Sequence, residues 1–380
     1  MRTVVFVVLC VLLWALPVTA KIVYVDKYGV GGACSNDRGN PGTNPASPVC
    51  TCGAGTSRLA RGDTMYIRAG MYQWDSPDFC YWSAQGIPAY GVPPLIIPSG
   101  GGSWASATVI AAYPGEHVIL NGGGAGLGYA TPAESWIIFD RLHLADGKLD
   151  VTSPDSTPPY CENPAPAHHI RFQNGSVYST PGFSGGIMFL GGCGHHFEVL
   201  NNDLYNAGGG TAGHGCTDPY GCYTMYWSGN HSIFDGNRVF DNASYGFHIY
   251  ASGLDNVSDN VVSNNIFYNN GFYDLRSLNN YGGGAAMVVG SGARNKVFNN
   301  LVFGNWAGIE IGYRCHNCEV YNNTVYSNEQ HGIAIDTSSN HVIVRNNISY
   351  NNGRDISNSG PSTTLGPNWE SANGDPQFVK

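Results

Sequence analysis

The sequence predicts an all-β solenoid, a single domain in which short parallel strands coil repeatedly around one apolar core. Three observations predict it. A seven-residue phrase, roughly Asn-Asn-x-Val/Ile/Phe-Tyr/Phe-x-Asn, recurs from about residue 200 onward. A second phrase, Gly-apolar-x-apolar, follows copies of it at Gly246–Ile249, Gly308–Ile311 and Gly332–Ile335. The 380 residues include 52 Gly and are only 12% charged, and the repeats carry no helical period.

The first phrase occurs at Gly236–Asn242, Asn264–Asn270, Asn299–Asn305, Asn322–Asn328 and Asn346–Asn352, with a shortened copy at Asn201–Asn206. Its second Asn falls at Asn202, Asn237, Asn265, Asn300, Asn323 and Asn347, at intervals of 35, 28, 35, 23 and 24. A base period of 23 to 24 residues holding two or three brief strands is one coil of a parallel β-solenoid, and the longer intervals are insertions. Stacked coils place like residues above one another at about 4.8 Å. Apolar columns then fill the interior and Asn columns form amide ladders at the inward turns, so these Asn residues read as architecture. Gly186–Phe189 is an earlier copy of the strand phrase, and Cys222–Tyr226 and Ala286–Gly290 fit it more loosely.

In chain order, Arg2, the apolar run Val4–Leu16 and the segment Pro17–Ala20 read as a secretory signal peptide, residues 1–20, removed before Lys21. The run is short for a span of about 20 residues, so the mature protein is expected to be secreted or periplasmic and free of the membrane. Residues 21–380 form the single domain: irregular early coils and a cap over 21–165, regular coils over 166–360, and a closing tail over 361–380. Ile22–Asp26, Asp63–Arg68, Ala107–Tyr113 and Ser135–Phe139 alternate as strands within the early part. Cleavage leaves ten of the 11 cysteines, and an even number in an exported chain argues for disulfides. Cys216 and Cys222 enclose a short loop that a disulfide would pin. Cys315-His316-Asn317-Cys318 has the form of half a zinc site, but no second Cys-x-x-Cys or spaced His pair completes it. A net charge of −9 offers no basic footprint for a nucleic acid.

The Asn-Asn and Gly-Ile-x-Ile phrases, Tyr24-Val25-Asp26, Gly62–Gly70, Ala112–Glu116 and Asp375–Val379 together resemble secreted right-handed parallel β-helix proteins of the pectate-lyase-like superfamily. The resemblance spans nearly all of the mature chain. It implies a right-handed single-stranded parallel β-helix with an N-terminal cap and loop insertions, acting on carbohydrate. It is specific for fold and weak for reaction, since that superfamily holds lyases, hydrolases, epimerases and adhesins. The paired Asp motifs of polygalacturonases, the Asp-Pro-His of mannuronan epimerases and the Arg-x-Pro-x-x-Arg of the main pectate lyases are missing. Gly213-His214-Gly215 alone resembles the polygalacturonase Gly-His-Gly.

In the strand phrase the apolar positions point inward and the others outward. The outward columns then read Met188, Thr224, His248, Val288, Glu310, Ala334 and Leu190, Tyr226, Tyr250, Gly290, Gly312, Asp336. Insertions over 207–221 and 271–284 wall this face and carry His214, Asp218 and Tyr220, and Tyr273, Asp274 and Arg276. A lyase would use His248 and Tyr250 for acid/base work, with Arg314 or Arg276 against a uronate carboxylate. A hydrolase would use Glu310 and Asp336, whose α-carbons should stand about 8 Å apart, within the inverting range. Tyr226, His214, Tyr220, Tyr273, Arg276 and Tyr313 are expected to contact sugar. Calcium is a possible cofactor, with Asp218 and Asp274, together with Asp255 and Asp259, as oxygen ligands. The expected activity is β-elimination of a uronic-acid polymer by a monomeric enzyme; the alternatives are glycoside hydrolysis and a non-catalytic carbohydrate-binding solenoid.

Overall fold

Each coil of the chain lays down three short strands, and each strand pairs in parallel with its counterparts one coil before and after. The computed structural model describes residues 19–73, 99–121, 127–129, 135–146, 149–151, 167–179, 188–190, 194–207, 225–250, 257–272 and 284–378. Among these, a first sheet of 12 strands runs from Ile22–Val25 to Thr364–Leu365, a second of 11 from Gly70–Gln73 to Trp369–Glu370, and a third of 9 from Leu127–Tyr129 to Arg354–Asn358. One coil visits the first, second and third sheets in turn, as in Ile233–Asp235, Arg238–Phe240 and Phe247–Ile249, before Val261–Ser263 opens the next. The result is a right-handed parallel β-helix.

The Asn-Asn phrase works through both of its residues. The first Asn turns the corner between the first and second sheets in the left-handed region: Asn201, Asn264, Asn299, Asn322 and Asn346 all have φ of 56°. Asn tolerates that conformation better than most residues, and Gly236 replaces it once. The second Asn points inward. Asn237, Asn265, Asn300 and Asn323 are at most 2% exposed, and each Oδ1 accepts the backbone N–H of its counterpart one coil earlier at 2.9–3.0 Å. The ladder runs from Asn202 through Asn347 to Asn368. The closing Asn of the phrase builds a second ladder, Asn242, Asn270, Asn305, Asn328 and Asn352, at the next corner. These amides satisfy inward-facing N–H groups that strand pairing cannot reach.

Between the ladders the interior is apolar. Val199, Phe234, Val262 and Val297 stack from the first sheet, Leu204, Val239, Phe267 and Val302 from the second, and Phe247, Met287, Ile309 and Ile333 from the third, all at most 1% exposed. Each such side chain contributes roughly 1.5–3 kcal/mol by leaving water. On the outside of the second sheet Tyr178, Tyr205, Phe240, Tyr268, Phe303 and Tyr326 stack ring on ring at 4.9–5.5 Å. Their faces are turned to one another, so this column braces the coils.

The early coils are held by the phrases that carried the resemblance. The Glu116 carboxylate accepts from Arg68 Nε and Nη2 and from the Ala69 N–H, and Arg68 lies over the Tyr113 ring. Arg68 holds the Glu116 carboxyl below the usual carboxylate range. The coils continue past residue 360: Thr364–Leu365 and Trp369–Glu370 extend two sheets, and Phe378 packs on Tyr326 and Tyr350. Disulfides join Cys34 to Cys50 and Cys315 to Cys318, and Cys52 is also disulfide-bonded. The Cys315–Cys318 bond removes the half-zinc-site reading of that motif. Cys216 and Cys222 lie outside the described residues, as does the expected signal peptide up to residue 18. No helix among the described residues is long and apolar enough to cross a membrane.

Candidate functional site on the third sheet

Strand register places Phe189, Tyr226, His248, Val288, Glu310, Ala334 and Ser357 in one column on the third sheet. This corrects the columns drawn from sequence. The strand is Met225–Trp227, with Met225 and Trp227 buried, so Tyr226 and not Thr224 stands beside His248, and Met188 pairs with Met225. The loosely matched Cys222–Tyr226 slipped by two residues, which keeps Tyr226 facing outward, while Gly186–Phe189 slipped by one, which exchanges the two faces of the strand.

His248 lies at the bottom of an aromatic bowl. Its ring is 5.5 Å from Tyr250 in a stacked arrangement, 5.3 Å from Tyr226 edge-on, 5.2 Å from Tyr245 and 6.3 Å from Tyr313. Tyr250 also meets Tyr313 at 5.3 Å. His248 is 7% exposed, whereas Tyr313 is 52% exposed and forms the rim. Burial lowers the His248 pKa to about 4, so the imidazole is neutral across the neutral range. Burial pushes the Tyr226 phenol well above its ordinary value, so it keeps its proton.

One coil further on, Val288 is 1% exposed although it points outward, because Ala285, Ala307, Tyr245 and Trp306 pack around it. The floor of the groove is therefore apolar. Beyond it, Glu310 shares a hydrogen bond with His331, Oε1 to Nε2 at 2.9 Å, both side chains part-exposed. His331 and Tyr245 were not singled out in the sequence, yet each stands immediately before the glycine of the strand phrase, Gly332 and Gly246.

Asp336 lies in a different setting from the one expected. Its Oδ2 accepts the Tyr313 N–H and its Oδ1 the Ser338 and Ser339 N–H groups, while the Ser338 hydroxyl donates to it as well. The carboxylate fixes the turn that carries Tyr313 and Arg314. Arg314, exposed and in the left-handed region at φ 71°, donates its backbone N–H to Ser338 Oγ, and its guanidinium forms no ion pair with the described residues. The fold thus brings together His248, Tyr250, Tyr226 and Tyr313, with Arg314 following Tyr313 in the turn and Glu310 two strands away from His248.

Asp259 belongs elsewhere. It sits at the corner entering the first sheet, where Arg294 donates to both of its oxygens and holds its pKa down. His214, Asp218, Tyr220, Asp255, Tyr273, Asp274 and Arg276 lie outside the described residues. Among the described residues, no group of three or more possible metal ligands gathers on this face.

The architecture and the groove define the class: a right-handed parallel β-helix protein with an aromatic-walled cleft on one sheet. Residues 165–325 match the family described as the right handed beta helix region. Among solved structures, pectate lyase Pel9A superposes with a TM-score of 0.56 at 13% identity, covering 95% of this chain and 82% of that one. The GH136 lacto-N-biosidase of Eubacterium ramulus gives 0.53 at 12% identity over 92% and 68%, and XylC with xylose 0.52 at 10% over 92% and 69%. At these identities the likeness is one of fold. No curated protein sequence matches the chain.

Proposed function

We propose that the chain is an extracytoplasmic polysaccharide lyase that cleaves a uronic-acid-containing polymer by β-elimination at the bowl around His248. The observation that carries this reading is the packing of Tyr226, Tyr245, Tyr250 and Tyr313 around a buried, neutral His248, with Arg314 next in the chain to the rim residue Tyr313. In the reaction a base removes the proton on C5, the electron pair becomes the C4–C5 double bond, and the glycosidic oxygen on C4 leaves with a proton. Arg314 faces the uronate carboxylate and makes the C5 proton more acidic. Tyr250, between His248 and the rim, relays the proton. His248 is in its base form throughout the neutral range, and its burial disfavours the imidazolium, which drives the proton onward to the departing oxygen. Tyr313 and Tyr226 supply ring faces and edges for the sugar. The polysaccharide-acting proteins that share the fold, a pectate lyase among them, are consistent with the substrate class.

Two-carboxylate hydrolysis is less well supported, because the Asp336 oxygens are engaged by the turn they hold. The test uses pectate, alginate, glycosaminoglycan and neutral plant polysaccharides, with calcium or with chelator. Ultraviolet absorbance of unsaturated uronate and reducing ends rise together if the proposal holds. Reducing ends alone would transfer the role to Glu310 and a hydrolytic mechanism, and silence on every polymer would favour a binding solenoid. Loss of activity with chelator would bring in calcium held by Asp218 and Asp274.

The pH profile is a separate check. A base is active when unprotonated, so the acid limb of kcat/KM should lie near the His248 value of about 4 and not near 6.5. The same depressed value makes a stability statement. The contribution is complete above the unfolded value near 6.5 and is lost as pH falls toward about 4, because the unfolded chain then binds the proton more readily.

A further inference from the structure

A second cluster lies where earlier coils of the chain pass from the third sheet into the first. His168-His169 and His195-His196 are two dipeptides one coil apart, and a parallel bridge joins His168 to His195. Their rings stack across the coils: His168 on His195 at 5.1 Å, His169 on His196 at 4.6 Å, and His196 on His231 at 5.3 Å. Within each dipeptide the two Nδ1 atoms are 2.7 Å apart. Trp136 stacks on His169 at 3.7 Å, and Trp104 packs edge-on against Trp136. Arg171 lies over Trp104 and is itself paired with Glu198.

The geometry points to a divalent transition-metal site, for zinc or copper(II), formed by His169, His195 and His196, with His168 available as a fourth ligand. One ring nitrogen from each of the first three lies within 4.8 Å of the others, and the rings are part-exposed or exposed. A tetrahedral zinc holds its nitrogens about 3.4 Å apart at bond lengths near 2.1 Å, so small side-chain rotations close the gap. Each Nδ1···Nδ1 contact can hold only one proton. In each dipeptide the donor ring presents an unprotonated Nε2, and for His195 and His196 to bind together their Nδ1···Nδ1 contact opens so that each neutral ring offers one unprotonated nitrogen, the ligand form that zinc and copper(II) prefer. The Trp104–Trp136 pair fixes the ring planes from beneath, and a bound ion would staple two successive coils at their outer corner.

The site is independent of the lyase reading and is tested without activity. Untagged, metal-stripped full-length protein is dialysed against zinc, then measured for retained metal and titrated calorimetrically. The expected result is about one zinc per chain, a raised melting temperature, and a loss of affinity of roughly tenfold or more in His169→Gln and in His196→Gln. His341→Gln, at the same kind of corner several coils away, should bind as the parent does. His196 is exposed, so its variant should fold, as far-ultraviolet circular dichroism and metal-free melting will verify. Absence of retained zinc in the parent, or equal affinity in the folded His196→Gln variant, would overturn the proposal.

Discussion

Replacing Asn265 by Ala should destabilise the protein by about 3–5 kcal/mol, read as a lowered urea midpoint. Its Oδ1 accepts the Asn237 N–H at 2.9 Å and the Asn237 Nδ2 at 3.1 Å, while its own Nδ2 donates to the Phe234 carbonyl at 3.0 Å and to Asn300 Oδ1 at 2.9 Å. Removal leaves the buried Asn237 N–H without its acceptor, at a cost of roughly 1–3 kcal/mol, and each further lost bond adds about 1 kcal/mol. Asn237 Nδ2 keeps the Val199 carbonyl at 2.9 Å, which caps the estimate. Asn264→Gly is the matched control. Asn264 is exposed, already has positive φ, and contributes one amide bond to Asp235 at 2.7 Å, so glycine there should cost within about 1 kcal/mol. Equal effects at the two neighbours would contradict the division of labour between turning and laddering.

That division explains why the coil was legible in the sequence. A ladder demands one residue type at one position in every turn, and a left-handed corner accepts few side chains, so both requirements leave a period. The bowl left a weaker trace. His248 and Tyr250 could be placed because Gly246–Ile249 is a clean copy of the strand phrase. Tyr226 fell in the wrong column because its own segment has Thr224 where Gly246 stands before His248, so no glycine marks the strand. His331 escaped because it precedes the glycine, at the edge of the alternating segment. The hydrogen bonds of Asp336 had a signal, since Asp336-Thr337-Ser338-Ser339 is the pattern of a side chain bonding its own following backbone. The histidine corner was missed for a geometric reason. His168-His169 and His195-His196 are 27 residues apart, a separation that has no meaning as metal-ligand spacing until the coil stacks one pair on the other.

Tyr250→Phe should lower kcat on the polymer by roughly 10²–10⁴-fold with KM little changed, because the ring stays stacked on His248 while the proton-carrying oxygen is lost. His248→Phe fills the same buried space and should fall in the same range without unfolding the sheet, whereas a smaller residue would open a cavity beneath four tyrosines. Arg314→Gln should act on both parameters, since a carboxylate contact that strengthens as negative charge develops contributes to binding and more to the transition state. Glu310→Gln decides between chemistries. In an elimination centred on His248 it sits two strands away and should change kcat by less than about tenfold; in a hydrolysis it carries the reaction and its loss should be nearly complete. A pattern in which Glu310→Gln is inactive and Tyr250→Phe retains full activity would move the reacting bond along the groove to the Glu310–His331 pair and replace elimination by hydrolysis.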